Sequence, residues 1–283
     1  MKKFSGFLFC LLWYQFSFGQ TAADSLTIVN TKWETATVKK GIVRKHAEIG
    51  NLYSVPQNIN IVEISRKAAR VKFGIAVANP NIITSKLADS IHAIVAINGS
   101  YFNIKIGNSV CFLKIGNQLI DSSEMNVLKA RANGAIIANK KKLQIVPWNI
   151  ALEKSYRGNK GFVLSSGPIM LYNDSVCDFS QCSKSFITTK NPRSAIYITR
   201  DNKIGFITID GRFKGKAEGM NIIELSHFLK IIGARAALNL DGGGSTTLWT
   251  NEAPENGVLN MPCDNKKYDH SGERKVANII YVY

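Results

Sequence analysis

The chain has 283 residues, of which 45% are hydrophobic and 20% are charged. This composition is typical of a globular protein and excludes an intrinsically disordered chain. A net charge of +16 raises the question of a nucleic-acid partner. The basic residues are scattered, with only short clusters such as 140–142 and 266–267, and no basic helix, zinc-finger spacing or aromatic RNA-binding motif accompanies them. We therefore expect no nucleic-acid partner. The charge suits an anionic substrate, an acidic envelope surface or a solvated basic face.

Residues 1–20 have the layout of a secretory signal peptide. Lys2 and Lys3 form a short basic start, an apolar run follows over residues 4–18, and Gly19 precedes a cleavage point at Gln20. The apolar run is shorter than the roughly 20 residues that a membrane-spanning helix needs. We expect an exported protein, periplasmic or secreted, without stable membrane insertion. The alternative is an uncleaved anchor.

Four cysteines follow the predicted leader: Cys111, Cys177, Cys182 and Cys263. In an oxidising compartment they permit two disulfides, with three possible connectivities. Cys177 and Cys182 enclose a short loop that one bridge would close, and we predict a disulfide there. A metal site would need a second close pair, which Cys111 and Cys263 do not supply. No metal or other cofactor is expected.

Short apolar runs predict strands along most of the chain. Residues 21–78 form a strand-rich N-terminal segment, and the turn at 79–81 separates it from the main domain, residues 79–283. In the N-terminal segment, the predicted strands are 27–29, 41–43, 59–64 and 71–77. In the main domain, a helix is predicted over 82–90 and further strands at 93–97, 134–138, 143–146, 162–164 and 276–282.

Residues 204–241 carry a strand–helix–strand pattern. Residues 195–199 and 204–209 predict a hairpin. The apolar positions of 221–232 recur at spacings of three, four and seven, which indicates an amphipathic helix, and 236–240 is the next strand. This order suggests a right-handed crossover with parallel strands. The predicted fold class is α/β, a mixed β-sheet with packed helices.

Asp210 and Asp241 each follow one strand of this unit. Both strands of a crossover point the same way, so the two carboxylates are expected at the carboxyl edge of the sheet, where ligands of open α/β sheets bind. Gly211 and Arg212 follow the first aspartate. The second aspartate is followed by Gly242, Gly243, Gly244, Ser245 and Thr246. The loop amides and hydroxyls are predicted to form an anion-binding nest. The alternatives are a plain turn after the first strand and a flexible glycine loop after the second.

Three other positions are candidates with structural alternatives. Arg193 opens the strand at 195–199 and offers a planar fork for phosphate, although a lone arginine is also a common surface or ion-pair residue. Asn98 and Gly99 end a buried strand before two aromatic residues. That pattern suits a sugar site or a tight turn followed by core aromatics. His270, in the polar loop before the last strand, is a lesser acid/base candidate.

Six blocks of the sequence share a pattern that spans about residue 93 to the C-terminus. They are INGSYF (97–102), SGPIM (166–170), PRSAI (192–196), TIDGR (208–212), ALNLDGGGSTT (237–247) and GERKVAN (272–278). In this order they resemble the phosphodiester glycosidases, the family of the uncovering enzyme N-acetylglucosamine-1-phosphodiester α-N-acetylglucosaminidase. The family often has a second glycine where Ser100 stands and a proline where Lys275 stands. These departures bear on loop shape and substrate choice.

The resemblance implies hydrolysis of the bond between an anomeric sugar carbon and a phosphodiester oxygen. Asp210 and Asp241 are implied as nucleophile or base and as stabiliser or acid, in an order left open, with Glu273 as a reserve carboxylate. The implied substrate-binding residues are Asn98 and Gly99 on the sugar, and Arg193, Arg212, Gly242, Gly243, Gly244, Ser245 and Thr246 on the phosphate. The implied partner is a glycan or a sugar phosphodiester.

Two other hypotheses fit the same sequence. One is a non-catalytic protein that binds envelope glycans or sugar-phosphate polymers on the same scaffold, since a fold does not guarantee activity. The other is a basic envelope-attachment protein whose binding is lost with added salt. The ordered acidic and glycine motifs favour the hydrolase over both.

Overall fold

The computed structural model describes residues 22–139 and 142–283. The predicted signal peptide and the basic residues Lys140 and Lys141 lie outside this part of the chain. The helices are α1 Ala22–Val29, α2 Arg66–Ala69, α3 Thr84–Ser90, α4 Met125–Ala130, α5 Ile150–Ser155, α6 Lys184–Thr188 and α7 Ile222–Ile231, with a 3₁₀ turn at Gly243–Ser245. Among the residues described, none of the helices has the length and apolar character needed to cross a membrane.

Seventeen strands of the described residues are distributed over three sheets. They are β1 Glu34–Lys39, β2 Ile42–Leu52, β3 Val55–Ile64, β4 Phe73–Ile83, β5 Val95–Asn98, β6 Leu113–Ile115, β7 Gln118–Asp121, β8 Gly134–Ala138, β9 Leu143–Pro147, β10 Phe162–Ser166, β11 Ile169–Tyr172, β12 Ser175–Val176, β13 Arg193–Thr199, β14 Ile204–Ile209, β15 Ala234–Asn239, β16 Leu248–Thr250 and β17 Lys275–Val282. The sheet orders are β1-β2-β3-β14-β13-β15-β11-β12, β7-β6-β10-β8-β9 and β16-β5-β17-β4. All the strand pairs described are antiparallel.

The eight-stranded sheet is covered on both faces. Every residue of β13 and β14 is buried, so these strands show no alternation of buried and exposed positions. Successive side chains point to opposite faces. Ile196 joins a core cluster with Ile97 of the four-stranded sheet, whereas Tyr197 joins a cluster with Phe228 of α7. One face therefore packs on the two smaller sheets and the other on helices.

The two strands of the strand–helix–strand unit pair with a different strand from the one predicted. β14 and β15 both pair with β13, one on each of its edges, and both pairs are antiparallel. The two strands run in the same direction, but they are not hydrogen-bonded neighbours and no parallel pair forms between them. The expected mixed sheet is thus an antiparallel one, with helices packed on it. The order arises because the chain returns after α7 to the free edge of β13.

The N-terminal segment contributes to the same sheet as the predicted site. β3 pairs with β14 from Ile59↔Ile209 to Ile64↔Ile204. The run 27–29, which we expected to be a strand, is instead the end of helix α1. Ile28 is buried there in the cluster that contains Phe228 of α7. Helical packing against α7 thus overrides the local strand preference of Thr, Ile and Val.

All four cysteines in the described chain are free thiols. The predicted disulfide between Cys177 and Cys182 is therefore not formed in this structure. Cys177 packs against the core cluster on one face of the eight-stranded sheet, and Cys182 packs against the cluster on the opposite face. The backbone N–H of Cys182 donates to the carbonyl of Phe179 at 2.9 Å, so a hydrogen-bonded turn closes the loop.

We predict that a chain beginning at residue 22 has four free thiols, because the sulfur atoms of Cys177 and Cys182 pack on different sheet faces. Titration with a thiol reagent in denaturant, after purification without reductant, measures the count. The double variant Cys177→Ser, Cys182→Ser is the control and should show two thiols fewer. A wild-type count that rises by two on reduction would show that the bridge forms.

Candidate active site

The candidate site lies where strand ends of the eight-stranded and four-stranded sheets meet. Asp210 follows β14, Asp241 follows β15 and Arg193 begins β13, so all three lie at one edge of the large sheet. Asn98 ends β5 of the four-stranded sheet. The backbone N–H of Asp241 donates to the carbonyl of Gly99 at 3.0 Å and joins the two sheets at this point.

Asn98 is fully buried, and its side-chain amide connects three segments. Its Nδ2 donates to the carbonyl of Asp241 at 2.7 Å. Its Oδ1 accepts from the hydroxyl of Ser194 at 2.7 Å and from the N–H of Thr247 at 3.1 Å. These contacts favour a role in positioning Asp241 over the direct bond to a sugar that the resemblance implied.

Asp241 is a half-buried residue, and the side chains of Arg131 and Arg274 lie close enough to influence its carboxylate. Its Oδ1 accepts from the N–H of Gly242 at 3.1 Å. Burial raises the pKa of Asp241, while the Ser245 hydroxyl and the guanidinium groups of Arg131 and Arg274 oppose the rise. On balance the pKa of this carboxyl is raised, and the nearby cations limit the rise.

The glycines after Asp241 are required by close packing. A Cβ atom at Gly242 would lie 2.6 Å from the carbonyl oxygen of Pro192. A Cβ atom at Gly244 would overlap the side chain of Asp264, which forms a bidentate ion pair with Arg274 at 2.7 and 2.9 Å. The loop is consequently held between a strand start and an ion pair, and the alternative of a flexible glycine loop does not describe it.

Internal hydrogen bonds occupy three amides of the predicted anion-binding nest. The N–H of Gly242 binds Asp241, and the N–H of Gly243 donates to the carbonyl of Pro192 at 2.9 Å. The N–H of Ser245 donates to the carbonyl of Gly242 at 3.2 Å within the 3₁₀ turn. These donors are occupied inside the protein, so an anion at this site needs other partners.

Asp210 is enclosed on all sides. Its Oδ1 accepts from Nδ2 of Asn260 and its Oδ2 from the N–H of Met261, each at 2.9 Å. Burial raises the pKa of Asp210 to about 7, although both hydrogen bonds oppose the rise. Asn260 also donates to the carbonyl of Thr246 at 3.1 Å, and its own carbonyl lies 2.9 Å from Nδ1 of His270. Asp210 thus anchors the segment beside the glycine loop.

Arg193 is buried, and its guanidinium binds backbone carbonyls. Nε donates to Met220 at 3.0 Å, and one terminal nitrogen donates to Phe186 at 3.1 Å and to Thr189 at 2.8 Å. Burial lowers the pKa of Arg193 to about 10. These bonds hold the C-terminal end of α6, where a cation is stabilised by the helix dipole. They favour a structural role over the predicted direct contact with phosphate.

Arg212 lies beside the glycine loop. Its backbone has a positive φ of 69°, and one terminal nitrogen donates to Oδ1 of Asn191 at 3.2 Å. The same nitrogen is 3.0 Å from the position of a Cβ atom at Gly243. The side chain is exposed. Arg212 thus remains a candidate for anion binding next to Asp241.

Glu273 supports the start of helix α3. Its carboxylate accepts from the N–H of Ser85 at 2.9 Å and from the hydroxyl of the same residue. Burial raises the pKa of Glu273, and the hydrogen bonds from Ser85 and the backbone of Thr84 oppose the rise. The helix has no side-chain cap at Ile83, so this carboxylate satisfies amides at its first turn. These contacts do not favour the reserve catalytic role.

Arg131 is the site residue that the sequence motifs missed. Its guanidinium carbon lies 4.2 Å from the ring centroid of Tyr101, and the side chain influences the pKa of Asp241. Arg131 forms no ion pair with a described residue, and its Nε is buried without a hydrogen-bond acceptor. It follows the short helix α4 outside all six blocks, so no pattern in the sequence pointed to it.

Hydrogen bonds join the sequence blocks at this site. The hydroxyl of Tyr101 and Nδ2 of Asn239 both donate to the carbonyl of Gly167. Asn278 accepts from the N–H of Ser100 at 2.9 Å. Blocks far apart in the chain therefore converge around Asp241. Among the described residues, no group of three or more His, Cys, Asp or Glu side chains is arranged to hold a metal ion.

A family model described as phosphodiester glycosidase matches residues 92–283. The chain belongs to the phosphodiester glycosidase family. Its matched region contains every block that converges on Asp241. No curated protein matches the sequence.

Two solved structures resemble the chain in fold. The catalytic domain of zebrafish N-acetylglucosamine-1-phosphodiester alpha-N-acetylglucosaminidase, auto-inhibited by its pro-peptide, matches with a TM-score of 0.67 and 17% identity, over 89% of this chain and 87% of that one. A hypothetical protein from Synechocystis matches with a TM-score of 0.66 and 15% identity, over 89% of this chain. This chain spans only 63% of the Synechocystis protein. At such identities the likeness shows the fold alone.

We predict that the charge of Asp210 destabilises the fold as the pH rises from about 4 to 7. The folded protein keeps this proton up to about pH 7, whereas the unfolded chain releases it near the ordinary value of 3.8. The stability contributed by the protonated group is full below pH 4 and is lost as the pH rises through 7. The unfolding free energy of the wild type should therefore fall relative to Asp210→Asn, by at most about 1.4 kcal/mol per pH unit.

Urea unfolding between pH 4 and 8 measures this difference. The exposed Asp89→Asn is the matched control and should follow the wild type. Parallel pH profiles for the wild type and Asp210→Asn would contradict the assignment.

Proposed function

We propose that the protein is an exported hydrolase that cleaves a sugar 1-phosphodiester, such as an N-acetylglucosamine 1-phosphodiester, to the free sugar and a phosphomonoester. Membership of the phosphodiester glycosidase family supports this reaction class. The observation that carries the proposal is the carboxylate of Asp241, a half-buried residue at the strand edge, within the influence of the guanidinium groups of Arg131 and Arg274. Such a site suits a substrate with a reactive carbon next to a phosphate. Export rests on the signal-peptide pattern of residues 1–20.

Asp241 is the carboxylate that we place beside the anomeric carbon. When the bond from this carbon to the phosphate oxygen breaks, its electron pair leaves with the oxygen and the sugar acquires positive charge. The carboxylate either attacks that carbon or stabilises it until water supplies the hydroxyl group. Both routes need the ionised form, which the charges of Arg131 and Arg274 favour.

Asp210 and the buried amide of Asn98 act on the Asp241 carboxylate through other groups. Asp210 fixes Asn260, which in turn binds the carbonyl of Thr246 in the loop. Asn98 binds the carbonyl of Asp241 itself. Accurate placement of a catalytic group relies on such supporting contacts, since small displacements from the productive geometry cost rate. We assign both residues to positioning.

We predict that Asp241→Asn lowers the rate of sugar release by at least about 100-fold, because the neutral amide neither attacks nor stabilises the cationic sugar. Release of N-acetylglucosamine from its α-1-phosphomethyl diester measures the rate. Asp201→Asn is the matched control, since Asp201 is exposed on the β13–β14 turn at the other end of these strands. Its rate should equal that of the wild type.

The same assay separates the hydrolase from a binding protein. Near-normal turnover by Asp241→Asn would remove this residue from the mechanism. Wild-type protein that binds sugar 1-phosphates but releases no sugar from a panel of such diesters would favour the non-catalytic hypothesis.

A further inference from the structure

A cavity of about 500 Å³ opens between helices α4 and α6, and its lining includes Arg131, whose charge influences the carboxylate of Asp241. Arg131 carries the only ionised side chain among its lining residues, which otherwise supply hydroxyls, amides and apolar groups. Asn191 also lines the cavity, and its Oδ1 accepts from Arg212 beside the glycine loop. This hydrogen bond links one lining residue to the glycine loop, and the one charged side chain that lines the cavity is positive.

Arg131 lacks the partners that a half-buried guanidinium normally has. No carboxylate pairs with it in the described chain, and its Nε is buried without an acceptor. Leaving a charged donor without a hydrogen bond costs free energy, so such a group calls for a missing ligand. A phosphate supplies both the negative charge and two oxygen atoms that accept hydrogen bonds from the planar guanidinium as a bidentate pair.

The backbone and the guanidinium of Arg131 are held in place by one glycine and one aromatic ring. A Cβ atom at Gly167 would overlap the carbonyl oxygen of Arg131, so only glycine permits this approach. The carbonyl of the same Gly167 accepts from the hydroxyl of Tyr101, and the Tyr101 ring lies under the guanidinium. Cation–π contact at 4.2 Å orients the planar group without using its hydrogen-bond donors.

Phe186 connects Arg131 with Arg193. The two guanidinium carbons lie 5.3 and 5.0 Å from the centroid of the Phe186 ring. The positive charges repel each other, which contributes to the lowered pKa of Arg193. The electron-rich ring attracts both groups and offsets this repulsion. Arg193 is itself fixed by the carbonyls of Phe186 and Thr189.

We infer that Arg131 is the residue that binds the phosphate of the substrate, and that Phe186 and Arg193 are positioning residues that hold its guanidinium toward Asp241. These roles rest on the proposed function, since they assume a phosphate-bearing ligand at this site. The resemblance implied Arg193 as the phosphate ligand, whereas the contacts transfer that role to Arg131. With the anomeric carbon at Asp241 and the phosphate at Arg131, the cavity between α4 and α6 receives the leaving group.

Binding of inorganic phosphate, measured by calorimetry, tests the role of Arg131 without requiring turnover. Arg131→Gln should weaken binding at least tenfold, because the unpaired charge and its donors are removed. Arg131→Lys should also weaken it, since an ammonium does not reproduce the stacked planar fork. Arg200→Gln is the matched control on an exposed turn and should bind as the wild type does. Wild-type affinity in folded Arg131→Gln would overturn the inference.

Phe186 variants test positioning. Phe186→Tyr keeps the ring and should keep phosphate affinity, whereas Phe186→Leu should weaken it severalfold. In Arg131→Gln the change Phe186→Leu should have no further effect, because the ring acts through Arg131. Equal losses in Tyr and Leu variants, or additive losses in the double variant, would overturn the positioning role. Circular dichroism verifies that each variant is folded.

The outcomes distinguish this inference from the proposed function. Wild-type protein that binds phosphate through Arg131 but releases no sugar keeps the inference and rejects the hydrolase. Sugar release that is unchanged in Arg131→Gln rejects the inference and keeps the hydrolase.

Discussion

The buried amide of Asn98 is the contact on which the geometry of the site depends. It binds the carbonyl of Asp241, the hydroxyl of Ser194 and the N–H of Thr247, which belong to the ends of three different strands or loops. Ser194 and Thr247 are buried, so losing the amide would leave their polar groups unsatisfied, at about 1–3 kcal/mol each. The amide thereby couples the register of two sheets to the position of one carboxylate.

The two aspartates at this edge of the sheet have different neighbouring groups. Asp210 receives hydrogen bonds from neutral donors only and is fully enclosed, so its charged form is disfavoured near neutral pH. Burial raises the pKa of Asp241 as well, but the Ser245 hydroxyl and the charges of Arg131 and Arg274 oppose that rise. The proposed function assigns these two carboxylates different roles, Asp210 in holding a loop and Asp241 in facing the substrate.

Local patterns in the sequence predicted individual elements better than their partners. The apolar runs at 204–209 and 236–240 and the amphipathic stretch at 221–232 correspond to β14, β15 and α7. Their pairing through β13 was missed, because strand order depends on contacts that no local pattern encodes. The prediction of a Cys177–Cys182 disulfide was wrong for the same reason, since spacing does not reveal on which sheet face each sulfur packs.

At the candidate site, too, the sequence predicted positions better than contacts. The glycines that follow a strand-end aspartate in the sequence located the loop after Asp241. Close packing in this loop requires glycine. No pattern in the sequence indicated that the partners of Arg193 would be the carbonyls of Met220, Phe186 and Thr189, which lie outside its strand. Arg131 lies in no sequence motif, because its inferred role depends on the residues that contact it in the folded chain. Residue type and spacing locate a site, whereas burial and partners determine the role of each residue.

The nature of the leaving group explains why one accessible carboxylate is sufficient for the proposed reaction. Glycosidases that expel an alcohol generally place two carboxyl groups on either side of the bond, one of them as an acid. A phosphate oxygen leaves without that proton. The reaction therefore needs groups that bind negative charge rather than a group that donates a proton. In this fold the backbone of Pro192 packs against both Gly211 and Gly242, between the two aspartate loops, and Asp210 remains closed off. The guanidinium groups around Asp241 supply what the reaction requires in place of a second carboxyl group.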